Sequence, residues 1–321
     1  MGKIEIDHTG SGSGITLSSD GTNLLLGGTA IGGGGGSPDL FAENYDGSST
    51  LPSATGTNAF GIGVGAISSA SLSIALGTSR AYGTESFACA IDNNSTTFGA
   101  GGSQAIAIGR ISRAHGNQAI AIGSAANCSG NDALSIGENS TTSGRYGSTL
   151  GNSSSTSAEG ASSIGYGNTI NSGANSSVAL GAENKNNSVA GKLTYAATDT
   201  VGSGEPAGSP KTGIQVIVAH TTDATATVAT TPTSSGQATA ASDTIPALPN
   251  NSAFAFHGTI VARESAASGT DCAAWEVKGL IRREGSAGTT TLVNSATTVI
   301  DNTPSWGMAL SADTTNGGLA I

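Results

Sequence analysis

From Ala105 to Gly165 the chain repeats one short phrase, and its closing glycine returns every fourteen residues, at Gly109, Gly123, Gly137, Gly151 and Gly165. The phrases read Ala105-Ile106-Ala107-Ile108-Gly109, Ala119-Ile120-Ala121-Ile122-Gly123, Ala133-Leu134-Ser135-Ile136-Gly137, Gly147-Ser148-Thr149-Leu150-Gly151 and Ala161-Ser162-Ser163-Ile164-Gly165. A short fixed period marks a solenoid, in which one repeat is one coil and no coil buries its apolar face until a neighbour stacks on it.

Aligning the repeats by column gives the shape of a coil. Past each glycine corner a second segment alternates small and polar residues, as in Ser112-Arg113-Ala114-His115-Gly116 and Ala126-Asn127-Cys128-Ser129-Gly130. Fourteen residues therefore divide into two short strands and two tight turns. Ser112, Ala126, Ser140 and Ser154 share one column, and Ala114, Cys128, Thr142 and Thr156 another. Both suit a narrow interior. The intervening Arg113, Asn127, Thr141 and Ser155, with His115, Ser129, Ser143 and Ser157, should face water, because side chains alternate along a strand.

The first strand of each coil is apolar on both faces, whereas a two-sheet coil covers only one. Leaving each exposed isoleucine in water would forgo about 1.5–3 kcal/mol of burial. Lateral self-association is therefore expected, with an interface and roll core of Ile106, Ile108, Ile120, Ile122, Leu134, Ile136, Leu150, Ile164, Val178 and Leu180. The expected repeat turns are Gly109, Gly123, Gly137, Gly151, Gly165 and Gly181.

These residues, with Ser177-Val178-Ala179-Leu180-Gly181 and Gln104-Ala105-Ile106-Ala107-Ile108-Gly109 as the best matches, resemble the YadA-like head repeats of trimeric autotransporter adhesins. The resemblance covers about residues 57–182 and implies a left-handed parallel β-roll, trimeric about its inner strands. Three stretches depart from the pattern: Phe87-Ala88-Cys89-Ala90-Ile91-Asp92, read with Asp92 in the glycine position; the long loop from Asn93 to Ser103; and the sixteen residues from Gly165 to Gly181.

Composition agrees with an extended β protein. Only 4% of residues are aromatic, too few for a thick globular core, yet 36% are hydrophobic and many of these are periodic, which argues against disorder. A formal net charge of −10 with twelve basic residues and no basic cluster excludes nucleic acid as an expected partner. Cys89, Cys128 and Cys272 lie far apart without metal-ligand spacing, and Cys128 reads as a compact hydrophobe in the small interior column. The opening residues hold no apolar leader, and no apolar run reaches the length of a membrane span.

Taken in order, the expected fold class is all-β, in five parts. Residues 1–31 read as a small β segment, with strand patterns at Lys3-Ile4-Glu5-Ile6 and Ile15-Thr16-Leu17-Ser18. Residues 32–57 are a Gly-rich linker, Gly32 to Gly36, and a cap carrying Phe41, Tyr45 and Leu51. No Lys-Ser or Lys-Thr follows the glycines, so they are no phosphate loop. Residues 58–182 form the roll, counted as nine coils and about 43 Å long at one strand spacing each. Residues 183–212 are a loop-rich connector. Residues 213–321 are an antiparallel β-sandwich-like domain, with strands expected at 213–220, 253–263, 274–283 and 289–293. Trp275 shares a face with Val277 and Ile281, and reads as core. The chain stops at Ile321 in what reads as the start of a strand, and the expectation is that either the sequence is abbreviated or the last strand is supplied elsewhere.

Chemistry is sparse. His8, His115, His220 and His257 are scattered, so no metal site and no cofactor are expected. The roll's acids, Glu85, Asp92, Asp132, Glu138 and Glu159, never share a column on adjacent coils, which leaves no carboxylate pair for glycoside hydrolysis. No catalytic residue is expected. The opening, Ile15 to Thr22 with Leu24-Leu25-Leu26, is similar to tail-fibre proteins of marine cyanophages. The end, with Ala274-Trp275-Glu276, Gly279 to Arg283 and Asn316 to Ile321, resembles β domains that close phage tail or capsid fibres. These resemblances imply a homotrimeric, non-enzymatic virion fibre, made in the host cytoplasm without a signal peptide. It would dock on phage tail or capsid proteins by its N-terminal segment and meet a host-surface polysaccharide or outer-membrane receptor. The alternatives are a capsid-attached fibre or decoration protein and a depolymerising tailspike.

Overall fold

The computed structural model describes the strands Ile4–Ile6, Ile15–Ser19, Leu24–Leu26 and Thr29–Ile31, then residues 50–93, 95–186, 189–196, 211–222, 225–234, 236–265 and 269–321. The Gly-rich linker, Phe41 and Tyr45, and most of the expected connector lie outside these residues. Contacts divide the chain into two compact units, Met1–Gly47 and Ser48–Ile321. In the first, the four short strands pair in sequence order as an antiparallel meander, with Ile4 opposite Leu17, Leu17 opposite Leu26 and Leu26 opposite Thr29.

The second unit opens with the solenoid. Ten parallel strands from Phe60–Ile62 to Leu193–Ala196 form one sheet, and ten from Ser53–Ala54 to Lys185–Asn186 form the other. Each coil gives one strand to each sheet and stacks in register on the next, Ile106 on Ile120 and Ala114 on Cys128. The roll thus contains one coil more than the glycine count implies, because parallel pairing continues past residue 182 through Leu193–Ala196. Lys211–Ile214 then pairs antiparallel with that last strand and ends the sheet.

Strand register explains the irregular spacings. Phe87 sits thirteen residues after Ile74 in the same column, and Ile106 nineteen after Phe87. Cys89 therefore aligns with Ile108, so Ala90 takes the glycine position and the reading of Asp92 there is corrected by two residues. Ala90 adopts the left-handed conformation with φ 56°. The five extra residues fall in the corner before Gly99–Ala100, where Ile91 is fully buried. The sixteen-residue coil places its two extra residues in the turn after Ile170, so Ser163 still pairs with Ala179. Insertions sit at corners and leave the ladders whole.

The glycine column itself is set by sterics. Gly109, Gly123, Gly137, Gly151 and Gly165 all have positive φ, and a Cβ on any of them would come within 3.0 Å of the backbone carbonyl of the next coil's glycine. A second column, Gly102, Gly116, Gly130 and Gly144, lies at the opposite turn without positive φ, and there too a Cβ would strike the backbone carbonyl of the next coil. Interior residues are small because the two sheets are close. Ala105, Ala107, Ala114, Ala119, Ala121, Ala126 and Cys128 are fully buried in one stretch, and Ser135, Ser140, Thr142, Thr149, Thr156 and Ser163 in the next.

The C-terminal part is antiparallel, as expected. Ser252–Arg263, Cys272–Arg283 and Thr291–Asp301 form one three-stranded sheet. The third strand runs eight residues beyond its expected end, and the strand expected at 213–220 stops at Ile214. Trp275, Val277 and Ile281 are buried on one face, in line with a core role for Trp275. Ile281 packs with Leu248 and Leu319, against which Phe254, Phe256 and Leu292 lie. Gly318–Ala320 is a strand that pairs within the chain, with Ser311–Asp313, and the Ile321 carbonyl accepts from the Ala229 amide at 2.9 Å. Val189 joins this region to the roll by packing with Ile245 and Ala247.

Candidate functional site

Side chains on the first sheet alternate with the pleat. In Ile106–Ile108 the central alanine points into the coil and both isoleucines point out, where they stay half-buried. The same holds for Ile120 and Ile122, Leu134 and Ile136, and Val178 and Leu180. Leu150 and Ile164 are 39% and 49% exposed. All ten expected interface residues therefore lie on the outer face of one sheet, in two columns.

The register adds residues that the sequence reading did not include. Phe60, Ile74 and Phe87 precede Ile106 in one column, and Ile62, Leu76 and Cys89 precede Ile108 in the other. Leu193 and Tyr195 continue them at the far end, Tyr195 at 54% exposure. Phe60 and Ile74 are fourteen residues apart, so that period alone could have found them. Phe87 was hidden by the thirteen- and nineteen-residue spacings on its two sides. Ser148 and Ser162 interrupt the first column at adjacent coils.

The outer face of the second sheet carries a different surface. Arg80, Gly99 and Arg113 occupy one outward column, and Tyr82, Gly101 and His115 flank it. The Tyr82 hydroxyl donates to the Thr96 carbonyl at 2.7 Å and lies 2.8 Å from His115 Nε2. A phenol has one proton, so His115 is the donor to Tyr82 and carries its proton on Nε2. The two rings meet edge-on with centroids 5.9 Å apart. The Arg80 guanidinium stands 5.7 Å from the Tyr82 ring, and that of Arg113 5.5 Å from Phe98. Partial burial, reinforced by the Arg113 charge, lowers the His115 pKa; burial raises that of Tyr82 against the opposing pull of Arg80. His115 is thus on an outward column, as read from the sequence, but it belongs to a cluster that the sequence reading missed.

Elsewhere the titratable groups are dispersed. Glu85 accepts from Gln104 at 2.7 Å and Glu138 from Asn152 at 3.2 Å, so each acid meets an amide of the next coil. His257 pairs with Glu276 at 2.8 Å on the exposed face of the C-terminal sheet, and this contact lowers the Glu276 pKa. His220 uses its backbone amide, which donates to Gln237. Among the described residues no three His, Cys, Asp or Glu side chains cluster as a metal site, and Cys89, Cys128 and Cys272 are free thiols. Cys128 is fully buried, and its pKa is pushed up to about 11 by burial. No helix among the described residues is long and apolar enough to cross a membrane. No family model and no curated protein matches the chain.

Proposed function

We propose that this chain is the protomer of a homotrimeric virion fibre, a phage tail fibre, that is structural rather than enzymatic. The observation that carries the reading is the pair of apolar columns on the outer face of the first sheet, repeated from coil to coil. A solvent-facing row of half-exposed isoleucines is a poor end state for a monomer, since each forgoes part of the roughly 1.5–3 kcal/mol available on full burial. Three copies turned inward about one axis would cover these columns and leave the polar second sheet outside. The N-terminal meander would dock on the particle. The C-terminal sheet would present weak host contacts that three-fold avidity strengthens.

Replacing Ile108 and Ile122 together with Asp should convert trimers to monomers in sedimentation; intact trimers would refute the axial assignment. Averaged electron microscopy of whole virions addresses the location. Multiples of three at the tail, with the N-terminus inward, are the expected result, whereas three-fold projections spread over the capsid would make this a capsid fibre. Release of reducing sugar from host polysaccharide would make it a tailspike instead.

A further inference from the structure

The outer face of the second sheet differs from the rest of this acidic chain. Arg80 and Arg113 sit in one column with only Gly99 between them, two strand spacings or about 10 Å apart. The described acids of the roll lie at turns, and no carboxylate occupies the outward strand positions of this sheet. Two arginines on a sheet face without a carboxylate in its outward strand positions suit an anionic ligand.

The cluster is also built rather than incidental. The corner insert supplies Thr96 and Phe98, which Tyr82 and Arg113 engage. A Cβ at Gly101 would strike the Tyr82 ring, at 2.5 Å, so glycine at that position lets the ring reach across to His115. The Arg113 guanidinium lies over the Phe98 ring, 5.5 Å from its centroid, and its buried Nε meets no hydrogen-bond partner among the described residues.

Over the next three coils beyond Arg113 and His115 the two outward columns carry amide and hydroxyl groups: Asn127, Thr141 and Ser155 in one, Ser129, Ser143 and Ser157 in the other. They recur at about 4.8 Å, a spacing comparable to the length of one pyranose unit.

We propose that this face binds a linear acidic polysaccharide laid along the stack of coils, one of its carboxylate or sulfate groups held by Arg113 and Arg80 and its hydroxyls meeting the polar columns beyond. A small anion would use the arginines alone; the repeated columns favour a polymer. The site belongs to the roll of a single chain and does not depend on trimer formation or virion attachment.

The test uses the full chain, with alginate as a polyuronate, heparin as a sulfated polymer and dextran as a neutral one, each immobilised and measured at 50 and 300 mM salt. The expected result is binding to at least one acidic polymer, weaker at high salt, and none to dextran. Arg113→Gln should weaken it about tenfold, the loss expected for a charge-assisted contact. Arg145→Gln, at an exposed turn where the side chain stacks on Tyr146, should leave it unchanged. Should Arg113→Gln fail to fold, Thr141→Asp places a carboxylate on the same path one coil beyond Asn127, away from the cluster, and should also weaken binding. Equal binding to dextran, no binding to either acidic polymer, or equal losses from Arg113→Gln and Arg145→Gln would overturn the assignment.

Discussion

The coils from Gly99 to Ala133 and those from Leu134 to Ser163 have the same backbone and different interiors. In the first stretch the buried side chains are those of alanines and Cys128, with Ser112 the exception. In the second, Thr142, Thr149, Thr156 and Ser163 form a chain of hydroxyls 2.8, 2.9 and 2.9 Å apart, fully buried, while Ser135 and Ser140 pair at 2.9 Å. Hydroxyls are tolerated inside because each finds a partner, Ser135 and Ser140 within one coil and the threonines along the stack. Ser112 shows the converse, since its hydroxyl is buried among alanines without a partner. The repeat therefore dictates side-chain size strictly, and admits polarity wherever a hydrogen-bond partner lies within reach.

The largest expected effect should not distinguish the two stretches at all. Gly123→Ala and Gly137→Ala both drive a Cβ into the backbone of the next coil at positive φ, and each should destabilise by about 3 kcal/mol or more. Equal losses in chemical denaturation would show that coil stacking is indifferent to interior chemistry. A large difference would mean that one interior yields to the clash.

A middle-sized effect should change sign. Ser112 and Ser154 occupy the same column, but Ser154 Oγ donates to the Gly165 carbonyl at 2.9 Å and accepts from the Asn168 amide at 3.1 Å. Ser154→Ala should cost about 1–3 kcal/mol, whereas Ser112→Ala should stabilise by about 1 kcal/mol. Two losses in thermal unfolding would break the comparison.

The smallest effect is absent at neutral pH and belongs to the alanine-lined stretch alone. The Cys128 thiol rises from the ordinary 9.0 to about 11 on burial. A group that holds its proton more tightly when folded contributes stability below its unfolded pKa and loses it as pH rises through the folded one. Stability should therefore fall between pH 9 and 11, and Cys128→Ala should remove that slope. Cys272, which is exposed, should react with a thiol reagent in the native state while Cys128 stays protected.

The solenoid was legible because period, column and burial coincide wherever spacing is fourteen. Ala107, Ala121 and Ser135 could be assigned inward and their isoleucine neighbours outward from alternation alone. The cluster was not legible, since Tyr82 and His115 are thirty-three residues apart and no multiple of the period aligns them. The coil at Ala90 misled for the same reason: Ile91-Asp92 looks like a repeat ending, but the ladder had already turned two residues earlier. In the C-terminal sheet the Thr-rich run from Asn294 to Thr298 did not read as strand, because its residues are exposed on both faces and show no alternation.

The corner insertions allow a final deduction. Because an added residue at a turn leaves the ladder untouched, and a coil pairs only with the two beside it, this rod can be lengthened by whole coils as a ruler is lengthened by its divisions. Duplicating the fourteen residues from Ile120 to Ala133 would advance everything beyond it by one strand spacing, with the same neighbours on either side of the graft. Reach, in such a molecule, is a counted quantity.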